Sequence, residues 1–475
     1  MINLSEYRRV HCIGIGGIGL SAVAEIFMSR GFEVSGSDMR ESEITENLMA
    51  KGAKVFLGHR SKNVEDVDIV VYTVAVGELV RARELGIPTI TRAQALGALM
   101  REYEKSIAIS GTHGKTTTTS MISLILKDSD REPTILLGVN LDEIGGNCYV
   151  GGREYFVTEA CEYRDSFLEL QPNIEIILNI DSDHLDYFEN VEHIARSFEK
   201  FSRLVPENGV VIAYDANPFV RSIIEGLPNA ITFGLSGDND YYASNISFDA
   251  EGMPGFDVNH GGEKLGSINL SVPGEHNILN ALAAFACAHI MGVDVQDIVN
   301  TLNNYHGIHR RFDILGRTST NIKIIDDYAH HPTEIKATLS AVKNMKHEKL
   351  WCLFQPHTYT RTMALMDDFA TAFDNADAIV LAEIYAAREK NIYKISSRTL
   401  AQKILEHTPD KEIYYIEDFQ EMANFVYKNS GDGDLVLPMG AGDIYKVGEM
   451  ILDMDVSRIE AVRKTRVREI KKIED

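Results

Sequence analysis

The chain has 475 residues, of which 44% are hydrophobic and 25% are charged, and its formal net charge is −23. This length exceeds that of one ordinary globular core and indicates about three domains. The acidic balance argues against a nucleic-acid-binding protein, because such proteins need Lys and Arg to neutralise phosphates. The sequence lacks an uncharged apolar run near the ~20 residues that cross a bilayer, so we predict no membrane insertion. Five scattered cysteines without a C-x-x-C pair predict free thiols in a reducing cytoplasm.

The first part of the chain alternates strand and helix patterns. The run VHCIGIGGIG passes from β-branched residues into glycines, and the helical LSAVAEIFMSR and a second strand, FEVSGSD, follow it. A buried strand in VDIVVYTVAV, the helical ELVRAREL and a short strand at IPTI complete this part. Alternation of this kind predicts an α/β fold with a parallel sheet. We assign residues 1–97 to a Rossmann-like N-terminal domain.

The glycine loop of this domain is a candidate ligand site. Gly14, Gly16 and Gly19 form G-x-G-x-x-G between a strand and a helix, and Asp38 ends the next strand. A second nucleotide loop follows later, and nothing nearby resembles a hydride-transfer centre, which together favour a diphosphate ligand. Binding of NAD(P), as in a dehydrogenase, and glycines that serve packing alone remain the alternatives.

The strand-and-helix pattern restarts at KSIAISGTHGK. Strands are predicted at EYFVTEA, IEIILNI and GVVIAY, and helices at VEHIARSFEKFSRLV and HNILNALAAFACAHIMG. Residues 240–272 alternate polar and apolar residues between Gly-rich turns, which predicts an antiparallel insert. We assign residues 98–309 to a central ATPase domain of the P-loop type.

The segment GTHGKT resembles a phosphate-binding loop with one substitution. The usual loop reads G-x-x-x-x-G-K-[ST], and here Ile109 stands where the first glycine belongs, so we expect a shorter turn. Gly111 and Gly114 let the backbone amides turn inward without a Cβ in the way. Lys115 can reach phosphate oxygens, and Thr116 can ligate Mg²⁺ through its hydroxyl. The sequence therefore predicts phosphate binding here.

Polar residues that follow two further strands are candidate metal ligands. Glu159 ends one predicted strand, and a cluster follows the next: Asn179, Asp181, Asp183, His184 and Asp186. For each acid the alternative is a helix cap or a solvated loop, and for the histidine it is a hydrogen-bonded structural role. Their occurrence beside a phosphate loop favours a Mg²⁺ site.

A third α/β unit begins near RRFDILG. Its predicted strands are IKIIDDYA, LWCLFQPH, DAIVLAEI, KEIYYI and DLVLPMG. We assign residues 310–475 to a Rossmann-like C-terminal domain. The final SRIEAVRKTRVREIKKIED is predicted to be a solvated terminal helix or a frayed tail.

Several motifs together resemble the Mur ligase family. GTHGKTTTT, NIDSDHLDYF, GEHNILNALAA, HRRFDILG, DDYAHHPTEI, FQPHTYTRT and GAGDI occur in that family's order and approximate spacing, and the opening HCIGIGGIGLSAVAEIF resembles the branch that joins L-alanine to UDP-N-acetylmuramate. The resemblance implies three domains that bind the UDP-sugar, ATP and the amino acid in chain order. It implies that the muramoyl carboxylate takes the γ-phosphate of ATP and that the alanine amine attacks the resulting acyl phosphate, in peptidoglycan precursor synthesis.

The resemblance also implies roles for individual residues. Those implied for the nucleotide are Gly111, Thr112, His113, Gly114, Lys115, Thr116, Thr117, His276, Asn277, Asn280 and Asp326. Those implied for Mg²⁺ are Thr116, Glu159 and His184, and those implied for catalysis are Lys115, His184 and Arg311. Those implied for the UDP-sugar are Gly16, Gly17 and Ile18 near the diphosphate, with Asp38 and His59 toward the uridine. Those implied for alanine are His330 and Arg361.

The chain departs from the family pattern in places. Thr358 stands where many relatives carry arginine, and the loop around Gly77 is several residues short. Lys200 lies near the region of the modified lysine of other branches, but we do not assign it that role. Two other functions remain open: a ligase that adds a tripeptide to the same sugar nucleotide, and a nucleotide-binding regulator without ligase activity. The compact EACEYRDSFLELQP segment favours the alanine ligase, and the complete set of metal ligands argues against the regulator. Oligomeric state and the proton acceptor for the amine cannot be predicted from this sequence.

Overall fold

A computed structural model describes residues 2–73, 76–343 and 345–456. Over these residues the strands form three sheets in succession along the chain. This arrangement confirms the predicted three-domain α/β fold. The charged terminal segment predicted as a helix or tail, residues 457–475, lies outside the described residues. None of the helices in the described part of the chain has the length and apolarity needed to span a membrane.

The N-terminal sheet has the strand order β3-β2-β1-β4-β5, and all its pairings are parallel. Because β1 pairs with β2 on one side and β4 on the other, the glycine loop that follows β1 lies where the strand order reverses, as in Rossmann-type sheets. Its elements are Arg9–Ile13 (β1), Ile18–Ser29 (α1), Glu33–Asp38 (β2), Glu43–Ala50 (α2), Lys54–Leu57 (β3), Ile69–Tyr72 (β4), Gly77–Glu84 (α3), Thr89–Thr91 (β5) and Arg92–Met100 (α4).

The middle sheet has the order β15-β14-β13-β12-β11-β10-β6-β9-β7-β8. Its elements are Lys105–Ser110 (β6), Lys115–Asp128 (α5), Thr134–Leu141 (β7), Gly146–Tyr149 (β8), Tyr155–Glu159 (β9), Ile174–Ile177 (β10), Val191–Ser202 (α6), Val210–Tyr214 (β11), Pro218–Ile224 (α7), Ala230–Gly234 (β12), Tyr241–Phe248 (β13), Pro254–His260 (β14), Glu263–Asn269 (β15), Glu275–Ile290 (α8) and Val295–Asn303 (α9). The predicted antiparallel insert is β13–β15, which extends this sheet at β12.

The strands β6, β9 and β10 position the chemistry of the middle unit. β6 pairs in parallel with β9 and with β10, so the ends of all three strands meet at one edge. Ile109 is opposite Glu159 in this register and is fully buried in the hydrophobic core. The apolar residue in place of the first loop glycine is therefore part of a strand, and the loop begins only after Ser110.

The C-terminal sheet has the order β16-β17-β21-β18-β19-β20, with β16 as an antiparallel edge strand. Its elements are Asp313–Arg317 (β16), Lys323–Asp326 (β17), Pro332–Lys343 (α10), Leu350–Phe354 (β18), Tyr359–Ala364 (α11), Met366–Ala370 (α12), Ala378–Leu381 (β19), Ser397–His407 (α13), Glu412–Tyr415 (β20), Phe419–Asn429 (α14) and Leu435–Met439 (β21). A further helix covers 445–456.

The predicted domain boundaries fall in different surroundings. The boundary at 97/98 falls within α4, and Gly97 in that helix lies so close to the middle unit that a Cβ there would be 2.0 Å from the carbonyl oxygen of Glu169. The boundary at 309/310 falls between α9 and β16. Both boundaries stay predictions.

Candidate active site

The phosphate loop connects the end of β6 to the first turn of α5. Gly111 and Gly114 have φ values of +136° and +84°, which L side chains rarely adopt. A Cβ on Gly114 would lie 2.6 Å from Oδ1 of Asn280, and one on Gly111 would lie 2.9 Å from Cβ of Leu178. Glycine is therefore required at both positions by conformation and by space. The loop presents backbone amides at a helix N-terminus, which suits an anion.

Lys115 is held inside this loop by its ammonium group. Nζ donates to the carbonyl oxygens of Gly111 and Thr112, the latter at 3.1 Å. It also lies 3.1 Å from Oε2 of Glu162, whose side chain is 2% exposed. Burial alone would lower the pKa of Lys115, but the charge of Glu162 raises it. Sequence reasoning assigned no role to Glu162, although it lies three residues after Glu159.

Two of the predicted metal ligands lie in direct contact. The Thr116 hydroxyl donates to Oε2 of Glu159 at 3.0 Å, and Oε1 of Glu159 accepts from the Gly138 amide at 2.7 Å. A hydroxyl and a carboxylate side by side at the phosphate loop are oxygen donors of the kind that Mg²⁺ prefers. These two residues fit the ion that the family resemblance implies.

The third predicted metal ligand, His184, lies near Glu162 and Asp183. Its Nε2 lies 4.0 Å from Oε1 of Glu162 and 4.0 Å from Oδ2 of Asp183. The residue has φ +52°, and its ring stands over Tyr163 with a centroid separation of 4.7 Å. Glu162 thus stands between Lys115 and His184.

His113 joins the phosphate loop to the C-terminal unit. Its Nδ1 lies 3.2 Å from Oε1 of Glu334, and its Nε2 lies 3.4 Å from Oδ2 of Asp181. Burial alone would lower the His113 pKa, but the two carboxylates raise it to about 9. Two contacts nearby join the same units: Thr333 donates to Asp181 at 2.6 Å, and Nε2 of His331 lies 2.7 Å from the Ser182 carbonyl oxygen.

The donor atoms of His113, Asp181 and His331 all lie within 4.8 Å of one another, close enough to share a metal ion. The raised pKa of His113 makes this a charged hydrogen-bonded cluster at neutral pH, because a metal would first have to displace the imidazolium proton.

A cavity of about 380 Å³ opens between the middle and C-terminal units. The predicted nucleotide-binding residues that line it are His113, Gly114, Thr117, His276, Asn277 and Asn280, and Arg311 lines it as well. Burial lowers the His276 pKa to about 4, so this imidazole is neutral at physiological pH. Apolar side chains, including Leu178 and Phe233, form part of the wall, as expected for a purine site.

Asp326 is placed differently from its implied role. It is fully buried, lies 3.2 Å from Nε of Arg310 and is absent from the wall of this cavity. The neighbouring Asp327 lines the cavity instead and accepts from the amide of Phe312 at 2.9 Å. Burial raises the Asp327 pKa to about 7. The alternation of side chains along an extended segment accounts for this difference, since adjacent residues point to opposite faces.

A second cavity, of about 480 Å³, has walls from all three units. It begins at Gly17 and Ile18 in the glycine loop and extends to Glu159. Two arginines line it, Arg92 at the start of α4 and Arg388 from the loop after β19. Sequence reasoning missed both arginines, because nothing in their local sequence marks them.

The residues assigned to the uridine do not line this cavity. Oδ2 of Asp38 accepts the Gly16 amide at 2.9 Å, so this carboxylate fastens the glycine loop. Nδ1 of His59 lies 3.0 Å from Oε2 of Glu78, a fully buried residue that also accepts from Asn63 at 2.6 Å. Burial would raise the Glu78 pKa, but hydrogen bonds from His11, Ser37 and Asn63 lower it to about 2.

The residues assigned to alanine lie near His184. Nη2 of Arg361 donates to Oδ1 of Asp183 at 2.9 Å, and both residues line a small cavity of about 30 Å³. Nδ1 of His330 lies 3.2 Å from Oε2 of Glu334. Thr358 caps α11 by accepting the Arg361 amide at 3.4 Å.

Comparisons with known proteins show matches along most of the chain. Residues 9–104 match the "Mur ligase family, catalytic domain", residues 109–288 match the "Mur ligase middle domain" and residues 310–442 match the "Mur ligase, glutamate ligase domain". The UDP-N-acetylmuramate–L-alanine ligase of Alkaliphilus metalliredigens is 49% identical over 95% of this chain and 98% of its own length. That of Acetivibrio thermocellus is 50% identical over 95% of this chain and 97% of its own length.

Solved structures give the same result. The UDP-N-acetylmuramate-alanine ligase of Thermotoga maritima has a TM-score of 0.78 at 32% identity and covers 95% of this chain and 99% of its own. A murein peptide ligase from Psychrobacter arcticus has a TM-score of 0.69 at 24% identity, with 94% and 98% of the two chains covered. The second likeness shows a shared fold alone.

Proposed function

Because this chain belongs to the Mur ligase family, we propose that it uses ATP to join L-alanine to the carboxylate of UDP-N-acetylmuramate in peptidoglycan precursor synthesis. The observation that carries the proposal is the position of Glu159. This carboxylate contacts Thr116 in the phosphate loop and also lines the cavity that begins at Gly17. A sugar nucleotide whose diphosphate lies at the glycine loop can therefore extend its acid group toward a bound triphosphate.

The N-terminal and middle units would supply the phosphorylation step. The glycine loop at the N-terminus of α1, where Gly17 and Ile18 line the second cavity, suits a diphosphate, and the cavity between the middle and C-terminal units suits the adenine of ATP. Lys115 and Arg311 would stabilise the negative charge of the transferring phosphoryl group. Thr116, Glu159 and His184 would hold Mg²⁺, which when bound offsets the repulsion between a carboxylate and a triphosphate.

The C-terminal unit would bind the L-alanine whose amine reacts. The guanidinium of Arg361 offers a planar pair of donors to the alanine carboxylate. The alanine carboxylate would compete with Asp183 for this guanidinium. Attack of the amine on the acyl phosphate would give the amide, ADP and phosphate. We place this reaction in the cytoplasm.

The test is a four-component assay with purified protein. Phosphate release should require ATP, Mg²⁺, UDP-N-acetylmuramate and L-alanine together, and mass spectrometry should detect the alanyl product. Lys115→Ala should abolish turnover while circular dichroism shows a folded protein. Equal phosphate release without alanine, or a tripeptide that outcompetes alanine, would contradict the proposal.

A further inference from the structure

Glu162 lies at the centre of the candidate site without an assigned role. Its carboxylate is 2% exposed, Oε1 and Oε2 lie 3.4 and 3.1 Å from Nζ of Lys115, and Oε1 lies 4.0 Å from Nε2 of His184. It follows β9 directly, so the strand that positions Glu159 also positions Glu162. A carboxylate buried this completely is stable only with a charged or hydrogen-bonding partner, and Lys115 is that partner here.

The three hydrogen bonds of Lys115 indicate which of its partners a phosphate oxygen can replace. An ammonium group has three donors, and here they are directed to the Gly111 carbonyl, the Thr112 carbonyl and Glu162. The two carbonyls belong to the loop that would surround the phosphate, whereas Glu162 belongs to the segment that follows β9. Glu162 is therefore the partner whose place a phosphate oxygen can take without disrupting the loop.

A phosphate that replaces Glu162 as the hydrogen-bond partner of Lys115 leaves the Glu162 carboxylate buried. This carboxylate then needs another cation. Glu159 is not the hydrogen-bond partner that a phosphate would displace from Lys115, since its two oxygens accept from the Gly138 amide and from Thr116. His184 lies close to Glu162, and Thr116, the residue after Lys115, contacts Glu159. A divalent cation shared with these residues would neutralise the released carboxylate.

We propose that Glu162 is a positioning residue that holds Lys115 until a nucleotide phosphate replaces it, and that then accepts the divalent cation. Binding of nucleotide and binding of Mg²⁺ are coupled through this carboxylate, because after the exchange Lys115 is paired with phosphate and Glu162 with the cation. The inference rests on the proposed binding of nucleotide at the phosphate loop.

The test is calorimetric titration with ADP, in Mg²⁺ and in EDTA, for wild type and Glu162→Gln. Without its competitor, Lys115 in the variant is free to bind phosphate, so ADP affinity in EDTA should rise by about tenfold, as expected for loss of one charge-assisted contact. The factor by which Mg²⁺ increases ADP affinity should fall by a similar amount, because the carboxylate that accepts the cation is gone.

Two further variants make the result specific. Glu154→Gln is the matched control, since it removes a carboxylate 2.7 Å from Lys105, which begins β6 at the end remote from the phosphate loop, and it should leave both affinities unchanged. Glu162→Asp keeps the charge on a shorter arm, so ADP affinity in EDTA should rise by less and the Mg²⁺ dependence should be retained. If circular dichroism shows that Glu162→Gln does not fold, the titration of Glu162→Asp still tests the inference.

The inference is overturned if both Glu162 variants keep wild-type ADP affinity in EDTA, or if Glu162→Gln weakens ADP equally with and without Mg²⁺. These outcomes are separate from failure of the proposed function. Wild-type protein that shows the predicted coupling but forms no alanine adduct would contradict the ligase activity and leave the role of Glu162 standing.

Discussion

Two constraints meet at the phosphate-loop residue Gly114. Its φ is +84°, and an added Cβ would approach Oδ1 of Asn280 to 2.6 Å. Asn280 itself lines the proposed adenine cavity, so a displaced Asn280 changes the nucleotide site as well as the loop. We expect Gly114→Ala to abolish measurable ADP binding and to lower the melting temperature, with a stability cost above the ~1 kcal/mol of backbone strain alone.

Gly145→Ala separates strain from the clash at Gly114. Gly145 has φ +72°, but nothing lies within 4 Å of the Cβ that alanine would add. This variant should lose roughly 1 kcal/mol from backbone strain and keep wild-type ADP affinity. Calorimetry and thermal denaturation measure both quantities. Equal losses of ADP binding in the two variants would show that the contact with Asn280 has no role.

The sequence alone shows which residue types are present at the site but not which of them touch. The G-x-x-G-K-T spacing predicts the phosphate loop, because its geometry is local. The ion pair of Lys115 with Glu162 spans 47 residues and depends on the pairing of β6 with β9. The placement of Asp326 under Arg310, with Asp327 toward the cavity, depends on which face of the sheet each side chain meets. Neither can be inferred from spacing.

At the level of elements, buried apolar strands were predictable, whereas the partly buried strand β3 was not. The buried strands β6, β10 and β18 follow clear apolar runs, and their burial is what produces the pattern. β3 begins with Lys54 and is only partly buried, so its four residues give little signal before its partner β2 is known. The loop after β19, which brings Arg388 to the second cavity, likewise depends on tertiary packing.

This loop carries the next prediction. Arg388 comes from the C-terminal unit but lines the cavity that begins at the glycine loop, so its guanidinium can reach an anionic group of the sugar nucleotide. Arg388→Ala should raise KM for UDP-N-acetylmuramate by about tenfold, the loss of one charge-assisted hydrogen bond, with KM for ATP unchanged. Lys390→Ala, an exposed charge two residues away, is the control and should change neither constant. Steady-state kinetics with each substrate varied in turn would contradict this if both KM values rose equally.

For the molecule as a whole, contacts between the middle and C-terminal units decide how the site is assembled. His113 and Glu334 are 221 residues apart in sequence, and Arg361 and Asp183 are 178 apart. Both pairs connect a residue of the middle unit with one of the C-terminal unit. These residues meet because the middle and C-terminal units pack against each other, so their pairing could not have been predicted before the relative position of the sheets was known.

The His113 contacts make the packing of the middle and C-terminal units dependent on pH. The folded-state pKa is raised from 6.5 to about 9, so the charged form stabilises the contact fully below pH 6.5, and the stabilisation is lost as the pH rises through about 9. The full contribution is of the order of 3 kcal/mol. The melting temperature of His113→Gln should therefore lie below that of wild type at pH 6, and the difference should vanish above pH 9. His407→Gln, at an exposed histidine 3.4 Å from Asp374, is the control and should show little difference at either pH. A difference for His113→Gln that stays constant from pH 6 to pH 10 would mean that packing, and not the charge of the imidazolium, holds the two units together.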